Sequence, residues 1–278
     1  MKKSILFIFT ACFLFTTSCS DFLDEEHKTK YSSEYVFGTP EGLKLAVNAL
    51  YALQRYYAND TENATIFALE RGTDLAVTNG GTGNFYGIYD PNYLKPSASQ
   101  VGFMWRTMYQ IIGKANEIIA AAEDLEDTPS LRATVSEAKC FRAQSYFLLY
   151  RTFDRIWLNI QPTTAENVND PRDFHAASEK EVFDLIYEDL EYAITNLDWV
   201  SDEAGRFTQA AARHMKAKAA LWLKDWDTTL EQVEEIEKSG HFDLIALNEV
   251  FNAGDFPLRK RMYFPMEASN INPPSSFS

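Results

Sequence analysis

The fold of this 278-residue chain is decided by one stretch, Glu137-Ala-Lys-Cys-Phe-Arg-Ala-Gln-Ser-Tyr-Phe-Leu-Leu-Tyr-Arg-Thr-Phe-Asp154. On a helical wheel Glu137, Gln144 and Arg151, which are seven residues apart, form one narrow polar stripe. Most of the other positions are apolar or aromatic. Because a helix that is apolar on nearly every side must be covered by several neighbours, the stretch predicts a central core helix over about 131–154.

Amphipathic helices are predicted before this stretch. Thr39-Pro40-Glu41 combines a hydroxyl N-cap, a proline at the first helical position and an acid in the first turn. A helix therefore begins there and continues to about Tyr57, with apolar residues at helical spacing. A second helix is predicted over about 102–125.

Three further helices are predicted after it. Ser178-Glu179-Lys180-Glu181 has the pattern of a capping box and opens the first of them. The next is an alanine-rich helix from Thr208 to about Lys224. The last is predicted from near Trp226 to Ser239 and ends at Gly240. Its residues expected to point inward are Leu230, Val233 and Ile236.

The succession of helix pairs predicts an all-α fold, a tetratricopeptide-like α-solenoid with long irregular loops. The run Ala219-Ala-Leu-Trp-Leu-Lys-Asp-Trp-Asp-Thr-Thr-Leu230 has the spacing of one such helical elbow. Residues 71–101 and 158–177 lack helical periodicity, and loops of this length in a compact domain are usually functional or disordered.

The N-terminus predicts secretion. Lys2 and Lys3 precede a short apolar run and then small and polar residues up to Cys19. The run is too short to span a membrane, so we interpret 1–18 as a signal peptide. A buried N-terminal helix is the alternative, and the two lysines argue against it.

The exit Phe15-Thr-Thr-Ser-Cys19 resembles a bacterial lipobox, although Thr16 replaces the usual leucine. The resemblance implies that Cys19 carries lipid and that 19–38 form a tether. The acidic residues 20–26 are either a solvated spacer or, as in Bacteroidetes lipoproteins, a surface-export signal. With Cys12 in the signal peptide and Cys19 lipidated, Cys140 alone remains, so no disulfide is expected.

No stretch predicts an enzyme. The four histidines show no metal-ligand spacing, and the glycine-rich run 80–87 lacks the ending and the following helix of a phosphate-binding loop. A glycoside hydrolase needs a paired acid and nucleophile, and no stretch of the sequence suggests such a pair. We therefore expect no cofactor and no metal, with the oxygen-rich run 167–173 left open as a calcium site. The net charge of −14 excludes nucleic acid as a partner.

One loop suggests ligand binding, namely Asn84-Phe-Tyr-Gly-Ile-Tyr-Asp-Pro-Asn-Tyr93. Sugars have an apolar face that stacks on aromatic rings and hydroxyls that pair with amides and carboxylates. The candidate ligand-binding residues are Asn84, Phe85, Tyr86 and Tyr89. The alternative is that these rings hold the loop against the helical body.

Four segments together resemble the SusD/RagB family of Bacteroidetes. They are 137–154, Gly205 to Trp222, Ser239 to Leu244, and Met104 to Ile119. Family members usually have glycine and a Val-Pro-like run after the central helix, where this chain reads Asp154-Arg-Ile-Trp-Leu158. Members are also about twice as long, so 39–278 are expected to be an incomplete N-terminal helical domain.

The resemblance implies a surface-exposed, lipid-anchored outer-membrane protein facing the cell exterior. Such a protein binds an oligo- or polysaccharide and delivers it to a TonB-dependent, SusC-like transporter. The alternative is a tetratricopeptide-like protein-interaction scaffold without a small ligand.

Overall fold

The computed structural model of the chain describes residues 31–59, 99–164, 166–171 and 174–242. The chain divides into a short unit, Met1–Ser33, of which only 31–33 are described, and a compact unit, Glu34–Ser278. The described ranges contain seven helices and no strand, which confirms the predicted all-α class. The helices are α1 Ser33–Gly38, α2 Pro40–Asn59, α3 Ser99–Ala122, α4 Pro129–Phe153, α5 Glu179–Asn196, α6 Gln209–Leu223 and α7 Trp226–Lys238.

The central position of α4 is confirmed. It packs against α2, α3 and α5, and at fewer positions against α6. Phe141, Tyr146 and Leu149 along its length are completely covered. Cys140 is also in the core, where burial raises the pKa of its thiol. Elsewhere each helix packs on the next one along the chain: α2 on α3, α5 on α6 and α6 on α7. This is the order of packing in the predicted solenoid.

Local hydrogen bonds at the helix starts explain where two helices begin. The Thr39 hydroxyl accepts a hydrogen bond from the Gly42 N–H at 3.0 Å at the start of α2. Ser178 and Glu181 form the predicted capping box at the start of α5. Gly42 is required by close packing, because a Cβ there would lie 2.1 Å from the Tyr35 carbonyl oxygen. The helix predicted over 102–125 begins three residues earlier, at Ser99.

The orientation predicted for α7 is wrong at two of three positions. Ile236 is buried, but Leu230 is 59% exposed and Val233 is 41% exposed. The inward face of α7 contains Ile236 together with Gln232, which accepts a hydrogen bond from Arg213 of α6 at 2.9 Å. Trp226, Leu230 and Val233 lie on the exposed side of the helix. The predicted stop at Gly240 is confirmed by its φ of 68°.

A buried polar cluster joins α3, α4 and α5, although α4 was expected to be largely apolar on that side. Asp189 has no exposed surface and accepts hydrogen bonds from Lys139 at 2.8 Å and from Arg142 Nε and Nη2 at 2.7 Å. Arg142 Nη1 donates to Asn116 Oδ1 at 2.8 Å. Burial lowers the pKa of Arg142, but the hydrogen bonds and charge of Asp189 outweigh burial and raise it. We call these four residues the Asp189 cluster.

Among the described helices, none is both long and apolar enough to cross a membrane. The predicted signal peptide, 1–18, and Cys19 lie outside the described residues.

Candidate ligand-binding site

The site is built by the segment 155–178, which leaves the end of α4. Asp154 turns the chain with φ 61° and ψ −52°, a conformation that favours glycine. Its N–H still donates to the Tyr150 carbonyl at 3.0 Å. The position where the family resemblance predicted glycine therefore has a glycine-like backbone, although this chain carries aspartate there.

Two tyrosine hydroxyls hold the beginning of the segment. Tyr109 donates to the Trp157 carbonyl at 2.8 Å and accepts from the Trp157 N–H at 3.0 Å. Tyr146 makes the same pair of bonds with Asn159, both at 2.8 Å. Burial raises the pKa of both phenols, so each stays protonated and can donate and accept at once. The loop backbone at Trp157 and Asn159 is thereby fixed by side chains of α3 and α4.

The Asp189 cluster reaches this segment through Asn116. The Asn116 side-chain amide donates to the Asn159 carbonyl at 2.7 Å, while its oxygen accepts from Arg142. The same carbonyl accepts from Tyr146. The position of Asn159 is thus set by three helices acting through buried hydrogen bonds.

The far end of the segment returns to its start. The Ala177 N–H donates to the Ile156 carbonyl at 2.8 Å and closes the loop. Between these ends Asn167 organises a tight turn: its amide accepts from the Thr164 N–H at 2.8 Å and donates to the Pro162 carbonyl at 2.9 Å. The prediction that 158–177 lack regular secondary structure is confirmed for the described residues, which form a hydrogen-bonded loop.

The loop lines a cavity of about 360 Å³ that is open to solvent. Of the polar side chains that line it, Asn167 serves the turn. Asn159, Gln161 and Asp170 make no side-chain hydrogen bond within the described ranges. Two amides and one carboxylate are therefore available to a ligand. The cavity is lined by Trp157, Leu158, Asn159, Ile160, Gln161, Pro162, Asn167, Asp170 and Pro171.

An aromatic surface adjoins this cavity. The Trp157 ring lies parallel to the Tyr109 ring, with centroids 6.3 Å apart, and its other neighbour is Phe174 at 4.8 Å. Phe174 is 70% exposed, although an aromatic ring ordinarily gains by burial. An exposed ring beside unpaired amides suits a sugar, which offers an apolar face and a rim of hydroxyls.

The calcium alternative receives no support from the turn. In the part of the chain that the structure describes, no group of three His, Cys, Asp or Glu residues could hold a metal ion. The Asn167 oxygen is occupied by the Thr164 N–H. Asp173, the last residue of the candidate run, lies outside the described residues.

The candidate residues Asn84, Phe85, Tyr86 and Tyr89 also lie outside the described residues. The site around Trp157 and Phe174 was missed by sequence reasoning, which considered 158–177 as a long irregular loop with an open calcium alternative at 167–173 and not as a sugar site. The signal was nevertheless present, because aromatic residues stand among Asn and Asp there as they do in 84–93.

Comparison with known families gives a match over most of the chain. A sequence model of a SusD-like family, described as "Starch-binding associating with outer membrane", matches residues 21–221. A SusD-like protein of Bacteroides ovatus is 28% identical over 82% of this chain and 40% of its own length. SusD-like protein P38 of Formosa agariphila is 27% identical over 88% of this chain and 48% of its own length. The chain thus spans less than half the length of these curated relatives.

Solved structures have the same fold. A SusD homolog from Bacteroides thetaiotaomicron superposes with a TM-score of 0.64 at 21% identity, covering 77% of this chain and 44% of that one. A structure described as a laminarin-binding SusD-like protein superposes with a TM-score of 0.59 at 25% identity, covering 70% and 43%. These matches confirm the tetratricopeptide-like helical architecture.

Proposed function

The chain belongs to the SusD-like family, and on that premise we propose that it binds a glycan at the bacterial outer membrane without processing it. The cavity around Trp157 forms part of the binding surface. The single observation that carries this proposal is the exposed Phe174 ring against Trp157, beside the unpaired side chains of Asn159, Gln161 and Asp170.

The descriptions of the matching family and of one similar structure suggest which ligands to test first. The matching family is described as starch-binding, and one similar structure is described as laminarin-binding. Both ligands are neutral glucans, whose rings present apolar faces to aromatic side chains. We therefore infer that a neutral polysaccharide is the ligand class.

The test is affinity electrophoresis or calorimetry of the purified protein with starch, laminarin and other neutral polysaccharides. We expect Phe174→Ala to weaken binding of the best ligand about fivefold, since stacking on one ring contributes on the order of 1 kcal/mol. Trp226→Ala is the matched control, because Trp226 is also exposed but lies on α7. Equal affinity of the Phe174→Ala variant and the parent for every polysaccharide rules this cavity out.

The loop predicted to bind ligand can be tested beside it. Replacing Phe85, Tyr86 and Tyr89 together by alanine is expected to weaken binding of the same polysaccharide. The cost is about 1–3 kcal/mol, on the scale of losing a few stacked rings. If only Phe174→Ala has an effect, the ligand contacts the described cavity and residues 84–93 are structural.

The anchoring and delivery roles complete the proposal. Residues 1–18 act as the signal peptide, Cys19 carries acyl chains, 19–38 form the tether, whose last residues are the short helix α1, and 39–278 belong to the helical domain. The partner is a TonB-dependent, SusC-like transporter that receives the glycan. Labelling cells with a fatty-acid probe tests the anchor, and equal labelling of the parent and Cys19→Ala contradicts it.

A second candidate is a protein-interaction scaffold without a small ligand. It is favoured by Trp226, Leu230 and Val233, which form an exposed apolar stripe along α7. Replacing Leu230 and Val233 by lysine distinguishes the two functions. If this change abolishes co-purification with a transporter and no polysaccharide binds the parent, the scaffold is the better description.

A further inference from the structure

A second cavity, of about 270 Å³, lies between α2, α4 and the turn 203–207. It shares no lining residue with the cavity around Trp157. It is half open to solvent through exposed residues of α2 and of the turn. Its lining comprises Asn48, Tyr51, Ala52, Gln54, Arg55, Phe141, Gln144, Glu203, Ala204, Gly205, Arg206 and Phe207.

One wall of this cavity is fixed by paired groups. The Tyr51 hydroxyl donates to Glu137 and accepts from the Phe207 N–H at 2.7 Å. Arg206 donates to Glu137 at 3.2 Å and to Glu203 at 2.9 Å, and its guanidinium lies over the Tyr51 ring. Two carboxylates thus surround one guanidinium, and Lys44 lies 3.6 Å from Glu203. The acids of this wall are already neutralised.

The second wall contains a side chain with unmet hydrogen-bonding capacity. Gln144 lines the cavity one heptad after Glu137 on α4. Its amide oxygen is shielded from solvent and has no hydrogen-bond partner. A shielded amide oxygen without a donor is unfavourable, so a small rotation toward a donor in the cavity would stabilise it. Gln144 is therefore the group here that gains most from a bound hydroxyl.

The rim contributes an unpaired positive charge. Arg55 is exposed on α2 and, within the described ranges, makes no ion pair or hydrogen bond. It follows Asn48 by seven residues and Ala52 by three, so all three lie on the face of α2 that lines the cavity. Its guanidinium is therefore a positive charge at the edge of the cavity without a carboxylate partner in the described ranges. Such a group binds a carboxylate of a ligand in a bidentate manner.

We propose that this cavity binds a small hydroxylated carboxylate of the size of one uronic acid. The carboxylate pairs with Arg55, and a ring hydroxyl donates to the Gln144 amide. The cavity volume of about 270 Å³ lies just below the range of roughly 300–1,000 Å³ that is usual for small-molecule pockets, which suits a ligand of one sugar ring. The site is independent of the neutral-glycan cavity around Trp157, so the chain has separate places for a neutral polysaccharide and for an acidic sugar.

The experiment titrates the purified protein with glucuronate, followed by NMR or calorimetry. Glucose tests the need for a carboxylate and acetate tests the need for hydroxyls, and each is expected to bind at least tenfold more weakly than glucuronate. Arg55→Gln and Gln144→Met are each expected to lower the affinity for glucuronate about tenfold. Lys180→Gln removes one positive charge from an exposed pair on α5 and serves as the matched control.

Three outcomes overturn the proposal: no glucuronate binding, equal binding of glucose, or unchanged affinity in both cavity variants. Circular dichroism of each variant checks that the fold persists, and Arg55 is exposed enough that Arg55→Gln should fold normally. The outcome is separable from that of the neutral-glycan site. Phe174→Ala should leave glucuronate binding intact, and Arg55→Gln should leave polysaccharide binding intact.

Discussion

The two polar faces of α4 differ in how completely their groups are paired. Toward α5, Asp189 accepts three hydrogen bonds, and the remaining guanidinium nitrogen of Arg142 reaches Asn116. Toward α2, Glu137 is paired with Tyr51 and Arg206, but Gln144 one heptad later is not paired, and a cavity lies beside it. Both faces belong to the same helix and bury groups of similar polarity.

This difference separates a structural network from a candidate binding surface. Burying a charge is costly unless its partners are complete, so the Asp189 cluster is stable only as a whole. On the Gln144 face, the hydrogen-bonding capacity of the side-chain amide is unused, and the adjoining cavity has room for another molecule. The contrast predicts that removing groups from the two faces has opposite effects on stability.

The largest effect is expected for Asp189→Ala. The change removes the carboxylate that pairs with buried Lys139 and Arg142, and breaking such a buried pair costs about 3–5 kcal/mol. Urea unfolding followed by circular dichroism measures it. Asp184→Ala, which breaks an exposed ion pair with Lys180 on the same helix, should change little. Similar stability of the two variants contradicts the structural role of the Asp189 cluster.

A smaller loss is expected for Asn116→Leu. The substitution removes the acceptor of Arg142 Nη1 and one donor to the Asn159 carbonyl, at a cost of about 1–3 kcal/mol. Because Asn159 lines the cavity around Trp157, polysaccharide affinity should fall as well. A variant that loses stability but binds polysaccharide like the parent shows that Asn116 does not position the site.

Gln144→Met should have a weak effect of the opposite sign. Methionine has a similar volume and removes a shielded oxygen that lacks a donor, so the free energy of unfolding should stay level or rise by up to about 1 kcal/mol. The measurement is the same urea titration in the absence of ligand. A loss of stability above about 1 kcal/mol contradicts the conclusion that the Gln144 amide oxygen lacks a hydrogen-bond donor.

The smallest effect concerns pH. Burial raises the pKa of Glu137, and the hydrogen bond from Tyr51 together with Arg206 only partly offsets that. A carboxyl whose pKa is higher in the folded state contributes stability below its unfolded pKa, and this stability is lost as pH rises through the folded pKa. Glu137→Gln should therefore lose less stability between pH 4.5 and pH 7 than the parent does. Parallel pH profiles of parent and variant contradict this.

Most of the fold could be predicted from local patterns. Thr39-Pro40 and the Ser178 capping box mark helix starts because their hydrogen bonds are made within four residues. The outward stripe of α7 could not be predicted, because hydrophobicity placed Leu230 and Val233 inward. The observed orientation buries Gln232, which is bonded to Arg213 on a different helix, and the periodicity of α7 alone does not encode a contact between two helices.

The candidate site was harder to predict than the helices for the same reason. The composition of 157–174 suggests ligand contacts, but the cavity exists because Tyr109 and Tyr146, on two helices, hold the loop backbone. Those contacts join residues 48 and 13 positions apart. Likewise, the polar stripe of α4 was visible in the sequence, whereas its division into a paired and an unpaired part depends on α2 and on the turn 203–207.

The Tyr51 hydroxyl also has a consequence for the order of folding. Most helix contacts join neighbours along the chain and can form as soon as each pair has emerged. Tyr51 instead contacts Glu137, 86 residues later, and Phe207, 156 residues later. A polypeptide delivered N-terminus first can pair α2 with α3 and α4, but the bond from the Phe207 N–H to Tyr51 forms only after the turn at 203–207 has arrived. The wall of the cavity at that junction is therefore completed well after α3 and α4 have paired.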